Sequence, residues 1–372
     1  MSKSFTAIAC SLTAVVAVAT AVAAQQPRMT NAQLTSVPAP SPFAQSFRTL
    51  VSSTTDVTWV GYTVPTVSSE RVMCCFTSGA TYISGDIIMG DRSSCCGACR
   101  LEQISQSTVA PGAQPPAGPI KLEGSDRMVV LFRVVDRRVD RIRVFSEECQ
   151  LDAGGRPVRW LENVRPADSV ALLESYATAD PQDRRTSESA VSAIAMHGDA
   201  SADAALDRLI APAQPEAIRK RVTLWLGNSR GRHGLDTLKR VLRDYGSEEV
   251  RKSAVFGVSQ SRETDAFDTL LSLARSDRSE RIRGEAIFWL AQKAGGRAAA
   301  AITERIEQDP DTEVKKKALM ALSQLPKDEG VPLLIKVART NPNPAIKKQA
   351  MFWLGQSKDP RAIDFFAEIL GK

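Results

Sequence analysis

Five segments of this 372-residue chain can be written beneath one another without a gap. "AIRKRVTLWLG" starts at Ala217, "VRKSAVFGVSQ" at Val250, "IRGEAIFWLAQ" at Ile282, "VKKKALMALSQ" at Val314 and "IKKQAMFWLGQ" at Ile346. Ile218, Val250, Ile282, Val314 and Ile346 recur every 32 residues. So do Val222, Ala254, Ala286, Ala318 and Ala350, and Leu226, Val258, Leu290, Leu322 and Leu354. A sixth, weaker unit precedes them, with Ala190 and Ile194 in register. The apolar columns of a unit fall at i, i+4, i+7 and i+8, which is one face of a helix. After a short polar loop comes a second helix, with columns Leu206, Leu238, Leu270, Ile302, Leu334, Phe366 and Leu209, Val241, Leu273, Arg305, Val337, Ile369. Arg305 interrupts its column, so that helix is expected to be partly exposed there. One helix pair cannot bury its own apolar face, but a stack of pairs can. The expected product is a right-handed α-solenoid of about six helix pairs over residues 166–372, opened by a helix over 165–177.

The helix starts share the register. Ser247, Ser279, Asp311 and Asn343 each stand three residues before the Val/Ile column, where a side-chain oxygen can accept from the first free N–H groups. Pro215, at the same place in the first full unit, cannot. The start pattern in "DTEVKKKALMAL" and "NPAIKKQAMFWLG" resembles the HEAT repeat family, in particular the short bacterial form also found in phycobilisome lyases. That resemblance implies an α-solenoid and, for most members, protein binding.

The repeat also decides a tempting motif. "WLGNSRGRH" (225–233) contains Gly227-Asn228-Ser229-Arg230-Gly231, the G-x-S-x-G of a nucleophile elbow, with His233 close behind. An elbow needs a strand before the serine. The repeat places helices on both sides of Ser229, so no catalytic role is expected. The chain's only two histidines, His197 and His233, carry no flanking carboxylate motif. Neither a Ser-His-Asp triad nor a histidine zinc enzyme is expected.

Two further columns could meet a partner. One is basic: Arg219, Arg251, Arg283, Lys315 and Lys347, followed by Lys220, Lys252, Lys316 and Lys348. Stacked, these form a ridge suited to an acidic protein. Alternatively the first column lies between apolar columns, its stems packing and its charges bonding a neighbouring unit. The other column alternates large and small: Trp225, Gly257, Trp289, Ala321, Trp353, as interdigitating core layers require.

The N-terminal half has a different texture. Lys3 precedes the apolar run "FTAIACSLTAVVAVATAVA", which ends Ala21-Val22-Ala23. This predicts a secretory signal over 1–24, with no membrane span left after cleavage and a periplasmic or secreted bacterial protein. Residues 25–46 are polar and Pro-rich and predict a flexible linker; a second such stretch is 107–119. "DVTWVGYTV" predicts a strand, and "RMVVLFRVV" and "VDRIRVFS" a hairpin around Asp136-Arg137-Arg138. In that hairpin Val139, Arg141 and Arg143 should share one face, opposite Ile142 and Val144. A small, mainly β domain over 47–165 follows, with a thin core stapled by disulfides. The candidates for those bonds are Cys74, Cys75, Cys95, Cys96, Cys99 and Cys149, an even set in an oxidising compartment. Cys96-Gly97-Ala98-Cys99 is a C-x-x-C, and the alternative function is thiol-disulfide exchange through Cys96 and Cys99. Zinc held by Cys95, Cys96, Cys99 and Cys149 is disfavoured by export, and no metal or cofactor is expected. "WVGYTVP", "MCCF" and "RIRVFSEECQLDAGG" resemble secreted bacterial proteins that pair such a domain with HEAT-like repeats, a resemblance that brings no activity.

Net charge is +6, and all of it lies from Asp183 onward, where 32 basic residues face 26 acidic ones. An excess so mixed with acids does not point to nucleic acid. Taken together the fold class is α+β, a small disulfide-containing β domain followed by the solenoid. The function expected is a non-enzymatic envelope scaffold that binds a protein, with an acidic one suited to the ridge.

Overall fold

The computed structural model describes residues 28–67, 81–83, 86–88, 99–102, 126–147, 150–244 and 247–371. The signal segment, the 107–119 stretch and Cys74, Cys75, Cys95, Cys96 and Cys149 lie outside the described residues.

The central sheet follows from two strongly apolar strands. β3 (Thr58–Pro65) and β7 (Arg127–Val135) pair antiparallel along their length, and β7 continues into β8 (Arg138–Ser146). β10 (Pro157–Glu162) adds parallel to β3, and β2 (Gln33–Pro38) parallel to β10. The order is β2-β10-β3-β7-β8. β1 (Met29–Thr30), β9 (Leu151–Asp152) and β6 (Cys99–Arg100) make a small parallel sheet, and β4 (Thr81–Ile83) pairs β5 (Asp86–Ile88). Successive residues of a strand point to opposite faces. Met128, Val130, Phe132 and Val134 therefore join Val60, Tyr62 and Val64 on one face, while Val129 and Leu131 join Trp59, Phe145 and Trp160 on the other.

Three expectations for this region are corrected. The 25–46 stretch is no tether over its described part: β2 pairs in register with β10, and Phe43 and Phe47 of α1 (Phe43–Ser53) are buried against Tyr62 and Phe132. An edge strand with one face in water has a linker's composition. Val139 packs with Ile142 and Val144, not opposite them, because a bulge leaves Asp140 unpaired: Arg133 faces Arg141 but Val134 faces Val139. The core is not thin either. Trp59, Tyr62, Phe132, Phe145 and Trp160 are fully buried, and the sheet is covered on both faces. The hairpin turn lies where expected, with Asp136 and Arg137 both at positive φ, which matches the strand twist.

Cover on the first face comes from α2 (Pro166–Ala179) and α3 (Arg184–Met196), where the Tyr62 hydroxyl and Ser169 Oγ share a 3.0 Å hydrogen bond. From α3 the chain continues as helix pairs: α3/α4 (Ser201–Ile210), α5 (Glu216–Ser229)/α6 (Gly231–Asp244), α7 (Glu248–Gln260)/α8 (Ala266–Ser276), α9 (Glu280–Ala294)/α10 (Ala299–Gln308), α11 (Thr312–Ser323)/α12 (Lys327–Thr340) and α13 (Pro344–Ser357)/α14 (Pro360–Leu370). The in-register caps form as expected. Ser247, Ser279, Asp311 and Asn343 accept from the N–H groups of Val250, Ile282, Val314 and Ala345 respectively. Successive first helices pack directly on one another, the second helices more loosely. One apolar cluster runs from Phe43 to Phe365 through sheet and solenoid alike. No described helix is long and apolar enough to cross a membrane.

The G-x-S-x-G stretch is part of this packing. Ser229 is the last residue of α5, and a helix follows at once. Gly227 is where α5 meets α7: a Cβ there would lie 1.8 Å from the Gly257 carbonyl oxygen. Gly231 turns the chain at φ +48, in the region that favours glycine. Arg230 sends Nη1 to the carbonyls of Ala195 and His197, at 3.2 and 2.8 Å, and pairs with Asp203. It thereby satisfies the carbonyl end of α3.

The sheet joins the solenoid at His197. Thr66 bridges to it, Val67 N–H donates to the Met196 carbonyl, and Gly198 N–H to that of Pro65. The His197 ring is fully buried, and Nδ1 accepts from the Asp199 N–H at 3.3 Å. Burial pushes its pKa down to about 4, against an opposing pull from Asp199 and with help from Arg230.

Gly227→Ala should cost about 2 kcal/mol or more by urea denaturation, because two helix backbones must separate. Gly355→Ala, at the same repeat position with nothing within 4 Å, should be neutral or stabilising by up to about 1 kcal/mol. As pH falls from about 6.5 to 4 the unfolded chain protonates His197 and the folded chain does not. Up to about 3 kcal/mol of stability should drain away across that window. His197→Asn, which keeps an acceptor for Asp199, should show a flatter profile over the same range.

Candidate functional site

The basic column divides by burial, and the geometry of a helix explains why. Neighbouring positions are separated by about 100°, so Arg219, Arg251 and Arg283 point inward while Lys220, Lys252, Lys316 and Lys348 point outward or along the rim. The three arginines are 6%, 5% and 9% exposed, too enclosed to meet a partner. Arg219 Nε and Arg251 Nε donate to the Ile210 and Leu242 carbonyls at 3.3 and 2.8 Å. Arg251 Nη2 reaches Asp277 at 2.5 Å. Arg283 binds Asp309 through two hydrogen bonds, 2.8 and 3.0 Å, and the Asp277 carbonyl at 2.9 Å. Each aspartate also accepts the N–H two residues on, from Ser279 and Asp311, at 2.9 and 3.0 Å. One arginine thus ties the end of a second helix to the loop of the next unit. Lys315 Nζ also turns back, to the Glu307 carbonyl at 3.2 Å. Lys347 is half-buried. As partner ligands Arg219, Arg251 and Arg283 are corrected to structural ties.

Arg305 is a related correction. It is 8% exposed rather than open, with Nη1 on the Arg275 carbonyl at 3.2 Å and Nη2 on Glu304 and Gln308 at 2.7 and 3.2 Å. A charge in an apolar column can stay buried where carbonyls and a carboxylate meet it.

The outward face of the first helices carries what the sequence reading missed. Leu224, Phe256, Phe288, Met320 and Phe352 also recur every 32 residues. Leu224, Phe256 and Phe288 are half-buried, while Met320 is 37% and Phe352 52% exposed. Beside them lie Trp225, Trp289 and Trp353, also half-buried, so their column is an edge as much as a core layer. Phe256 and Phe288 stand 4.7 and 5.0 Å from the Trp289 ring, and Phe352 5.1 Å from Trp353. One turn earlier on the same face are Lys220, Lys252, Lys316 and Lys348. Gly284 takes the column's remaining place, and Lys317 of the next unit lies over it, its Cδ 2.5 Å from where a Cβ would stand. Lys252 approaches Glu285 at 3.8 Å and Lys316 binds Glu313 at 2.7 Å. The column was legible as a 32-residue repeat, but an apolar position next to two core columns looks like core until exposure is known.

The other candidates are placed as follows. Cys99 begins a strand paired with β9. His233 lies in the first turn of α6, 3.4 Å from Asp207 and 3.8 Å from Asp203. Among the described residues no group of His, Cys, Asp and Glu is placed to hold a metal ion.

Asp309→Asn keeps the bond to the Asp311 N–H but strands the Arg283 guanidinium in a buried place. It should cost about 3 kcal/mol by chemical denaturation, with the helical circular dichroism of the remaining fold unchanged.

The HEAT repeats family matches residues 209–291 and 299–372. No curated protein matches the chain. Among solved structures it is similar to YibA of E. coli, 23% identical over 45% of this chain, with a TM-score of 0.33; the match spans 64% of YibA, less than two thirds of its length. It is also similar to the CpcE–CpcF phycocyanin lyase of Nostoc sp. PCC7120 (18% identical, 55% of this chain, 81% of that one, TM-score 0.29). Human deoxyhypusine hydroxylase is similar at 14%, over 53% of this chain and 81% of that one, with a TM-score of 0.29. The family match takes in the 32-residue helix pairs from α5 onward and spans less than half of the chain.

Proposed function

We propose that this chain is an exported scaffold of the bacterial envelope that holds a protein partner along the outward face of its first helices. One observation carries the reading: a row of large apolar side chains, Leu224, Phe256, Phe288, Met320 and Phe352, runs along five consecutive units and ends with its last two members exposed. Scattered apolar residues on a surface need no explanation, but contiguous ones mark interaction sites. Aromatic side chains beside tryptophan edges are the kind of anchor that dominates binding energy. The lysines one turn away favour a partner with acidic groups beside its apolar ones, and such charges act mainly on encounter rate and selectivity. Export rests on Lys3, the apolar run after it and the Ala21-Val22-Ala23 exit.

The test is recovery of bound protein from the envelope fraction by the full chain. Met320→Ser with Phe352→Ser should lower recovery about tenfold, equivalent to about 1.4 kcal/mol, with thermal stability little changed. Ile363→Ser, 64% exposed but on α14, should leave recovery intact. Equal recovery by both variants would place binding elsewhere, and a chain found in the cytoplasmic fraction would remove the envelope from the proposal.

A further inference from the structure

Two successive units carry an arginine–aspartate rung, Arg251–Asp277 and Arg283–Asp309; the next unit does not, and a cleft opens there. Lys315 stands 32 residues after Arg283, and Asn341 stands 32 residues after Asp309. Where Arg283 and Asp309 meet through two hydrogen bonds, Lys315 and Asn341 line a cleft of about 220 Å³. Lys336, Thr340 and Glu307 line it too.

The groups around this cleft are mostly donors. The Lys315 ammonium has three N–H bonds, and one goes to the Glu307 carbonyl. Asn341 uses Oδ1 to accept from the Asn343 N–H at 3.0 Å, as Asp309 does for Asp311. That orientation leaves its Nδ2, a donor, where the aspartate has its second acceptor oxygen. Lys336 is exposed and brings a further ammonium, and Thr340 gives its hydroxyl hydrogen to the Lys336 carbonyl at 2.9 Å. Against these stands the carboxylate of Glu307, on an exposed residue at the rim. One step earlier in the array the acceptor is the chain's own carboxylate, held by a cation and a backbone N–H.

We propose that this cleft binds a carboxylate supplied from outside the chain, seated between Lys315 Nζ and Asn341 Nδ2, where it serves as the anionic acceptor that Asp309 provides one unit earlier. A carboxylate oxygen can accept from both donors at once, and charge-assisted bonds of this kind are the stronger ones. The volume is several times that of a water molecule, about 30 Å³, and so admits a small carboxylic acid or an acidic side chain. The site lies at the junction of α10, α11, α12 and α13, on residues other than those of the docking face, and does not depend on it.

The experiment is thermal unfolding of the full chain with acetate, glutarate or a capped hexaglutamate peptide, each against sodium chloride at equal ionic strength. At about 100 mM a weak carboxylate should raise the wild-type midpoint by about 2 °C. Asn341→Asp supplies the missing acid internally. It should have a higher midpoint without ligand and no longer respond. Lys315→Gln should also lose the response, and it provides the second reading if Asn341→Asp folds poorly. A response to the peptide at a concentration far below that of acetate assigns the site to acidic side chains. A response to the small acids alone assigns it to free carboxylates, and either result supports the cleft. No response in the wild type, or equal responses in the wild type and both variants, overturns it.

Discussion

Ile218, Val250, Ile282, Val314 and Ile346 are all buried to 1% exposure or less, yet no single helix pair contains enough surface to cover its own member of that column. Each is covered only once pairs are stacked. Full burial of one such side chain contributes about 1.5–3 kcal/mol, so every unit lends stability to its neighbours. The first unit has no predecessor of its own kind. The sheet takes that place: Tyr62, Phe132 and Ile142 lie in one continuous cluster with Ala190, Ile194 and the repeats beyond. The sheet is therefore the array's N-terminal cover as well as a domain-like structure.

Apolar stacking fixes distance but leaves register loose, and the polar groups that remain settle it. The exposed ends of helices carry unsatisfied carbonyls. Here cations from an adjacent element answer them: Arg230 at the end of α3, Lys293 at the carbonyls of Ser259 and Ser261, and Arg251 at the end of α6. The basic residues of the solenoid are thus of two kinds. Those on the inner side hold the units in register, and those one position later remain for solvent or a partner. Composition cannot separate the two, because the sequence difference is a single residue step and the physical difference is a 100° rotation.

The same reasoning explains which parts of the site could be read in advance. Periodicity exposes anything that recurs on a fixed spacing, so the caps at Ser247, Ser279, Asp311 and Asn343 and the basic column were legible. The Leu224–Phe352 column recurs as faithfully but was hidden by chemistry, since apolar positions on a helix are assumed to face inward. Asp277 and Asp309 were hidden for the opposite reason. Aspartates in loops are common, and only their distance to an arginine 26 positions earlier gives them a role. Outside the repeat there was no period to use. Gln33–Pro38 has the composition of a linker and becomes a strand because β10 offers an open edge.

The sequence by itself determined the helix pairs, their number and spacing, their starts and the strands of the central hairpin. These depend on local hydrophobic rhythm and on capping chemistry, which act between residues a few positions apart. Tertiary structure alone decided that the sheet and the solenoid share a core, that Val139 turns inward past a bulge, that Arg305 is buried, and which basic residues are free to face outward. It also decided why Gly227 is a glycine, since only the backbone of α7 pressing on α5 forbids a side chain there. Each of these depends on groups distant in sequence coming within bonding or van der Waals reach, and no local pattern encodes that distance.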